Sequence, residues 1–250
     1  MPLRSLVSSL AICSLFAACF LAAGNAVADP EPDRVDELIP WLLHENHDLR
    51  EIPFGQVIFD ATGKKVLPLD RKNPADEEIV KRITGVLNQV LRQVNEPGNP
   101  LQAAGRINET SSHFEDLLRT QLNAVVGLKC DFPRTAEGRL QRSGYPDLRI
   151  VDTQSNRVLY LDPKLYAKGS RESSFRTFYF EPKIATNKVT EDAVHLIAGF
   201  EHQPKADGRW KFTRWDLVDL AHFKVRLKAE FQASNHDIYR PDAVLATSAP

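Results

Sequence analysis

The sequence is short of cysteine, of net charge and of apolar runs beyond its N-terminal leader, and each shortage removes a class of protein. It has 3 cysteines in 250 residues. Cys13 and Cys19 fall in the leader, which leaves Cys130 alone in the remainder. One thiol makes no intrachain disulfide and no cysteine zinc cluster. Cys130 is expected to be buried as a small hydrophobe, with intermolecular pairing as the other reading. Lys and Arg total 32 against 33 Asp and Glu, a net charge of -1. No overall field therefore draws the chain to a polyanion, and nucleic-acid contact would need a local basic surface. No segment after the leader is long and apolar enough to span a bilayer. There is no G-x-S-x-G elbow, no glycine-rich phosphate loop, no zinc-protease helix, no internal repeat and no low-complexity tract. Stability must come from a core, and this length and apolar content suffice for one full domain.

Residues 1–28 read as a secretory signal. Arg4 gives a positive start, residues 6–23 are apolar, and Ala26-Val27-Ala28 is a small-x-small cleavage site before Asp29. Cleavage after Ala28 into a secreted or periplasmic protein, with no membrane attachment afterwards, is the expectation; an uncleaved anchor is the alternative. Residues 29–100 read as an N-terminal extension, a hairpin plus a helix, packed on the core. The apolar knot Leu38, Ile39, Trp41, Leu42 and Leu43 opens it, followed by His44 and His47, which fit a polar surface better than a metal site. Residues 56–69, with Ala61-Thr62-Gly63-Lys64 as the turn, suggest the hairpin. Asn73-Pro74 starts the helix, whose buried stripe is Ile79, Ile83, Val86, Leu87, Val90, Leu91 and Val94.

What organises the rest is the stretch 145–164, YPDLRIVDTQSNRVLYLDPK. It reads as two short strands around the polar turn Thr153-Gln154-Ser155-Asn156. If Asp152 pairs with Arg157, Asp147 falls opposite Asp162. Side chains alternate along a strand, so Asp147, Asp162 and Lys164 share a face, while Leu148, Ile150, Leu159 and Leu161 take the core side. One register thus sorts apolar from charged residues. Opposed carboxylates lie roughly 5 Å apart and repel. A divalent cation with oxygen ligands would relieve them, and Lys164 could stabilise a developing negative charge.

Pro146-Asp147 followed by Asp162-Pro163-Lys164 resembles the signature of the PD-(D/E)xK nucleases. The resemblance implies a restriction-endonuclease-like fold and Mg²⁺-dependent phosphodiester cleavage, with Mn²⁺ as a substitute and nucleic acid, DNA for preference, as substrate. It implies metal ligation by Asp147 and Asp162, and that Lys164 positions or activates the attacking water. It also implies a helix carboxylate, for which Glu115 stands in the right place. The alternatives for Glu115 are a capping box with Ser112 or a solvated face. Glu181-Pro182-Lys183 is a rival triplet; the hairpin register favours the first. A non-catalytic relative serving as an envelope binding or structural module is the second functional reading. A metal-dependent hydrolase of another anionic polymer is the third.

The core is expected over 101–237, as an α/β fold with a mixed, partly antiparallel central sheet flanked by helices. Residues 112–126 form its helix, with Phe114, Leu117, Leu118, Leu122 and Val125 inward. Further strands are expected at 175–181, at 192–202 (with a buried helix as the alternative there) and at 210–220. Residues 223–233 read as a helix or edge segment and 238–250 as a loose tail. Lys168, Arg171 and Arg176, with Lys183 and Lys188 beyond them, are candidate phosphate contacts. Pro163 lacks a backbone donor, so its strand must be at an edge or bulge there.

Overall fold

The computed structural model describes residues 32–44, 49–175 and 177–248. The leader with its cleavage site, His47 and Arg176 lie outside the described residues. Residues 1–44 and 45–250 are two separate units. Of the first, the helix α1 (Pro32–His44) is described, with Leu38, Ile39, Trp41 and Leu43 of the apolar knot exposed on it. Among the described residues no helix is long and apolar enough to cross a membrane.

The second unit begins with β1 (Ile52–Pro53), α2 (Phe54–Thr62) and β2 (Val66–Leu67). The expected hairpin over 56–69 is therefore corrected to a helix followed by a very short strand. Gly63, at φ 69°, closes α2 in the left-handed conformation and donates to the Phe59 carbonyl. A glycine after an apolar run serves equally as a helix stop or a hairpin turn. Burying Phe54 and Ile58 completely favours the helix here. Next comes α3 (Pro74–Val94), capped by the Asn73 side chain, which accepts from the Ala75 N–H. Its predicted stripe is buried, apart from half-buried Leu91. Two short 3₁₀ turns lead into α4 (Ser111–Asn123).

The strands that follow are β3 (Leu128–Asp131), β4 (Leu148–Asp152), β5 (Arg157–Ala167), β6 (Ala193–Ala206) and β7 (Arg209–Asp219). Then come β8 (Lys224–Val225), which pairs with β1 in place of the longer element expected at 223–233, and α5 (Asn235–Ile238). The main sheet runs β2-β6-β5-β4-β3, with β7 also on β6. The β3–β4, β4–β5 and β6–β7 pairs are antiparallel, and β5–β6 and β2–β6 are parallel. This is the mixed sheet that the sequence suggested, compatible with a restriction-endonuclease-like core. The expected strand at 192–202 is β6, which runs from Ala193 to Ala206. Residues 175–181 do not; Phe178 and Phe180 alternate like strand residues but pack from irregular backbone.

Each face of the sheet has its own core. On one face Leu148, Ile150, Leu159, Leu161, Leu196, Ala198 and Phe200 meet the apolar stripes of α3 and α4, and Cys130 is buried among them. Burial pushes the Cys130 thiol up to about 12. On the other face Tyr160 and Ala193 meet Phe54, Ile58, Tyr145, Val189 and Leu220. The β5–β6 connection packs on this second face, through Phe178, Phe180 and Val189. A charge network pins the hairpin to α3. Asp152 and Arg157 face each other across the ladder. Arg82 of α3 binds Asp152 at 3.2 Å, and Asp76 of α3 pairs with Arg157.

Candidate active site

The register predicted for the hairpin is the one observed: Asp152 opposes Arg157, and Leu148 opposes Leu161. The β4–β5 ladder ends there, while β5 continues against β6 as far as Ala167. Asp147 is the residue next beyond β4, Asp162 the next on β5, so the two acids meet where the shorter strand stops. Pro163 also falls in this overhang, where β5 has a ladder partner on one side only. The missing donor therefore breaks no β4–β5 bond.

Asp162 is 1 % exposed. Its Oδ2 makes no hydrogen bond of normal geometry, although the Lys164 ammonium forms an ion pair with it. Burial first, then the neighbouring Asp162 charge and a shared carboxyl hydrogen bond, push Asp147 up to about 8. Two acids too close to ionise together behave in this way. Beyond Lys164 on the same face lies Tyr166, whose hydroxyl donates to Asp216 Oδ2 at 2.7 Å. A Cβ on Gly199 would stand 3.3 Å from the Tyr166 ring, so the bare glycine lets that ring settle on β6. Burial and the Asp216 bond push Tyr166 up to about 12.

Glu115 lies within electrostatic reach of Asp147 and raises it further, but it is engaged elsewhere. Its Oε2 accepts from Arg142 Nη2 at 2.9 Å, and Arg142 also binds Asp116 at 3.2 Å and caps the Phe132 ring. The capping box with Ser112 does not form, because α4 starts at Ser111 with Thr110 at its N-cap. Among the described residues no group of three or more His, Cys, Asp or Glu side chains is placed to hold a metal. The pair Asp147 and Asp162 nevertheless suits a hard divalent cation: two converging carboxyls, one buried oxygen without a hydrogen bond, and oxygen donors only.

The other candidates divide. Lys168 and Arg171 are exposed, and Arg171 reaches Asp216 at 3.2 Å together with Arg214. The rival triplet lies on irregular chain, with Glu181 and Lys183 exposed and paired to each other at 2.9 Å. Lys188 is corrected: it is 1 % exposed and so no surface phosphate contact. Sequence reasoning missed Arg142, which occupies Glu115. His195 is fully buried in the core, and its Nδ1 is 2.7 Å from the Tyr145 hydroxyl. Burial pushes His195 down to about 3, and burial followed by the Asp162 charge raises Tyr145.

Comparison with known proteins gives two matches. A family described as the Type II restriction enzyme MjaV family matches residues 47–242. The Type II restriction enzyme MjaV of Methanocaldococcus jannaschii is 28 % identical over 207 residues, covering 79 % of this chain and 89 % of the relative. Both matches take in the whole overhang, from Asp147 to Ala167.

Proposed function

The chain belongs to the Type II restriction enzyme MjaV family, and from that premise we propose that it is a divalent-cation-dependent DNA endonuclease. In this reading it has a PD-(D/E)xK centre made of Asp147, Asp162 and Lys164. The observation that carries the proposal is the meeting of Asp147 and Asp162 at the end of β4, with Lys164 on the same face.

Asp147 and Asp162 would hold Mg²⁺ or Mn²⁺, which supplies Lewis acidity at phosphorus and charge neutralisation. Glu115 is held by Arg142 through Oε2. The chain's own residues do the rest. Buried Asp162 is fixed by β5 and β6, so one donor oxygen is set before substrate arrives. Asp147, pushed up to about 8 by burial and the Asp162 charge, would give up its proton when a cation fills the site. Lys164, about a third exposed, can orient the attacking water and stabilise charge developing on the phosphoryl oxygens. Lys168 and Arg171 would meet backbone phosphates, which position a duplex without reading its sequence.

Export through residues 1–28 remains part of the proposal, and the substrate would then be extracytoplasmic DNA. The family match begins at residue 47, beyond that leader. N-terminal sequencing of the protein recovered from its source cells, by compartment, tests it; a Met1 start on cytoplasmic protein would remove export.

The deciding experiment is cleavage of plasmid and single-stranded DNA by residues 29–250 with Mg²⁺, Mn²⁺ or EDTA. Asp162→Ala, purified in parallel, controls for contaminating nuclease. Cutting that needs metal and Asp162 is the expected result. Intact DNA with folded protein under every metal would point to a non-catalytic relative instead.

A further inference from the structure

A lysine that is 1 % exposed ordinarily faces a carboxylate. The Lys188 ammonium instead donates to two main-chain carbonyls, Gln141 O at 3.2 Å and Arg142 O at 3.4 Å. Both belong to the segment that delivers Asp147 to the end of β4. The Arg142 guanidinium ties this segment to α4, through Glu115, Asp116 and the Ser112 carbonyl. The strand entry that presents Asp147 is thus gripped twice, by α4 and by the β5–β6 connection. Burial lowers Lys188 from the ordinary lysine value, and the charges of Asp147, Asp162 and Glu115 act against that. The acidic centre lies within its field.

We propose that Lys188 is a positioning residue of the centre, a resident cation that holds Asp147 opposite Asp162 and offsets part of the Asp162 charge before a divalent ion binds. The inference rests on the assignment of Asp147 and Asp162 as the ion-holding pair. It carries a signature that a merely structural lysine lacks. A fixed positive charge repels an incoming divalent ion, so its removal tightens ion binding while loosening the alignment that turnover needs. Affinity for the ion and catalytic rate move in opposite directions.

The test uses the full chain and Lys188→Met, an apolar side chain of similar length. Mg²⁺ alone, then Mn²⁺ alone, is titrated against thermal unfolding, and plasmid cleavage is followed separately. The Mg²⁺ concentration for half-maximal stabilisation should fall about three- to tenfold. The kcat should fall about tenfold or more with KM little changed. An unchanged or raised Mg²⁺ half-point would overturn the proposal. Should Lys188→Met fail to fold, a double-mutant cycle with Asp162→Asn in chelator takes its place. The double variant should then fold, because the charge that Lys188 offsets is gone; a double variant as unstable as the single one would overturn the proposal. Neither the titration nor the cycle depends on cleavage, so a failed nuclease assignment is told apart from a failed role for Lys188. If Mg²⁺ does not stabilise the wild type, the ion-holding assignment falls and the cycle alone decides Lys188.

Discussion

Arg142 places Nη2 2.9 Å from Glu115 Oε2, so the carboxylate nearest in kind to a third metal ligand is already neutralised by a side chain five residues ahead of Asp147. Under the proposed ion-holding assignment, metal ligation and segment anchoring would compete for one carboxylate. Arg142→Ala should free Glu115 and lower the Mg²⁺ concentration for half-maximal thermal stabilisation. Adding Glu115→Gln should cancel that gain. A Mg²⁺ response unmoved by Arg142→Ala would leave Glu115 as an anchor alone.

Ion binding should be visible without substrate. A ligand that binds only the folded state at about ten times its Kd stabilises by about 1.4 kcal/mol. Mg²⁺ in that range should raise the Tm of the wild type. Asp162→Asn should abolish the rise, as should Asp147→Asn, which keeps the shape of the acid without its charge. Thermal unfolding in Mg²⁺ against EDTA decides the matter, and an equal rise in both variants would move the ion elsewhere.

Lys164→Ala should separate binding from chemistry. Loss of a group that stabilises transition-state charge costs about 100- to 1,000-fold in kcat, while the Mg²⁺-dependent gain in Tm should survive. Retained turnover would remove Lys164 from the mechanism, and the same loss in Lys183→Ala would shift attention to the exposed triplet.

The buried His195 gives a pH prediction. Its folded value of about 3 lies below the ordinary 6.5. As pH falls below about 6.5 the unfolded chain takes up a proton that the folded one refuses, and stability declines until about pH 3. Each pH unit in that window costs about 1.4 kcal/mol. Urea unfolding between pH 6 and 4.5 should therefore show a slope shallower by one proton in His195→Gln. Parallel slopes would mean that His195 is charged in the fold.

The hairpin's ties to α3 predict a stability loss far from the centre. Asp152 is buried and keeps its charge although burial opposes it, because Ser155 and Arg82 bind it. Arg82→Ala leaves that carboxylate short of its cation and should cost about 3–5 kcal/mol. Urea denaturation measures this, and a loss below about 0.5 kcal/mol would show the pair to be dispensable.

The hairpin register was legible because two independent signals agreed: the alternation of Leu148, Ile150, Leu159 and Leu161 with charged residues, and a polar turn of fixed length. The stripe of α3 was legible for the same reason, many residues repeating one period. Elsewhere one signal served two structures. Gly63 fits a turn or a helix stop, and only the space around Phe54 chose between them. Phe178 and Phe180 alternate, yet what they obey is the pocket beneath them. Lys188 and Arg142 carry no local mark at all, since a lysine or arginine in a polar stretch is usually solvated. Their partners are main-chain carbonyls and a helix 26 to 30 residues away in sequence. The candidate site was thus readable in its carboxylates and unreadable in its supports.

One strand outlasting its neighbour has a further consequence. Where β4 stops and β5 runs on, the sheet has a notch, and the Asp147–Asp162 pair stands at its inner corner. The length of chain before Asp147 then acts as a gauge for the opening. Residues added ahead of Leu148 that extended the ladder would close the notch over Asp162. Residues added before Arg142 would widen the approach and leave the corner untouched. Variation in what can enter is therefore separable from variation in what is done there, and the two are free to drift at different rates.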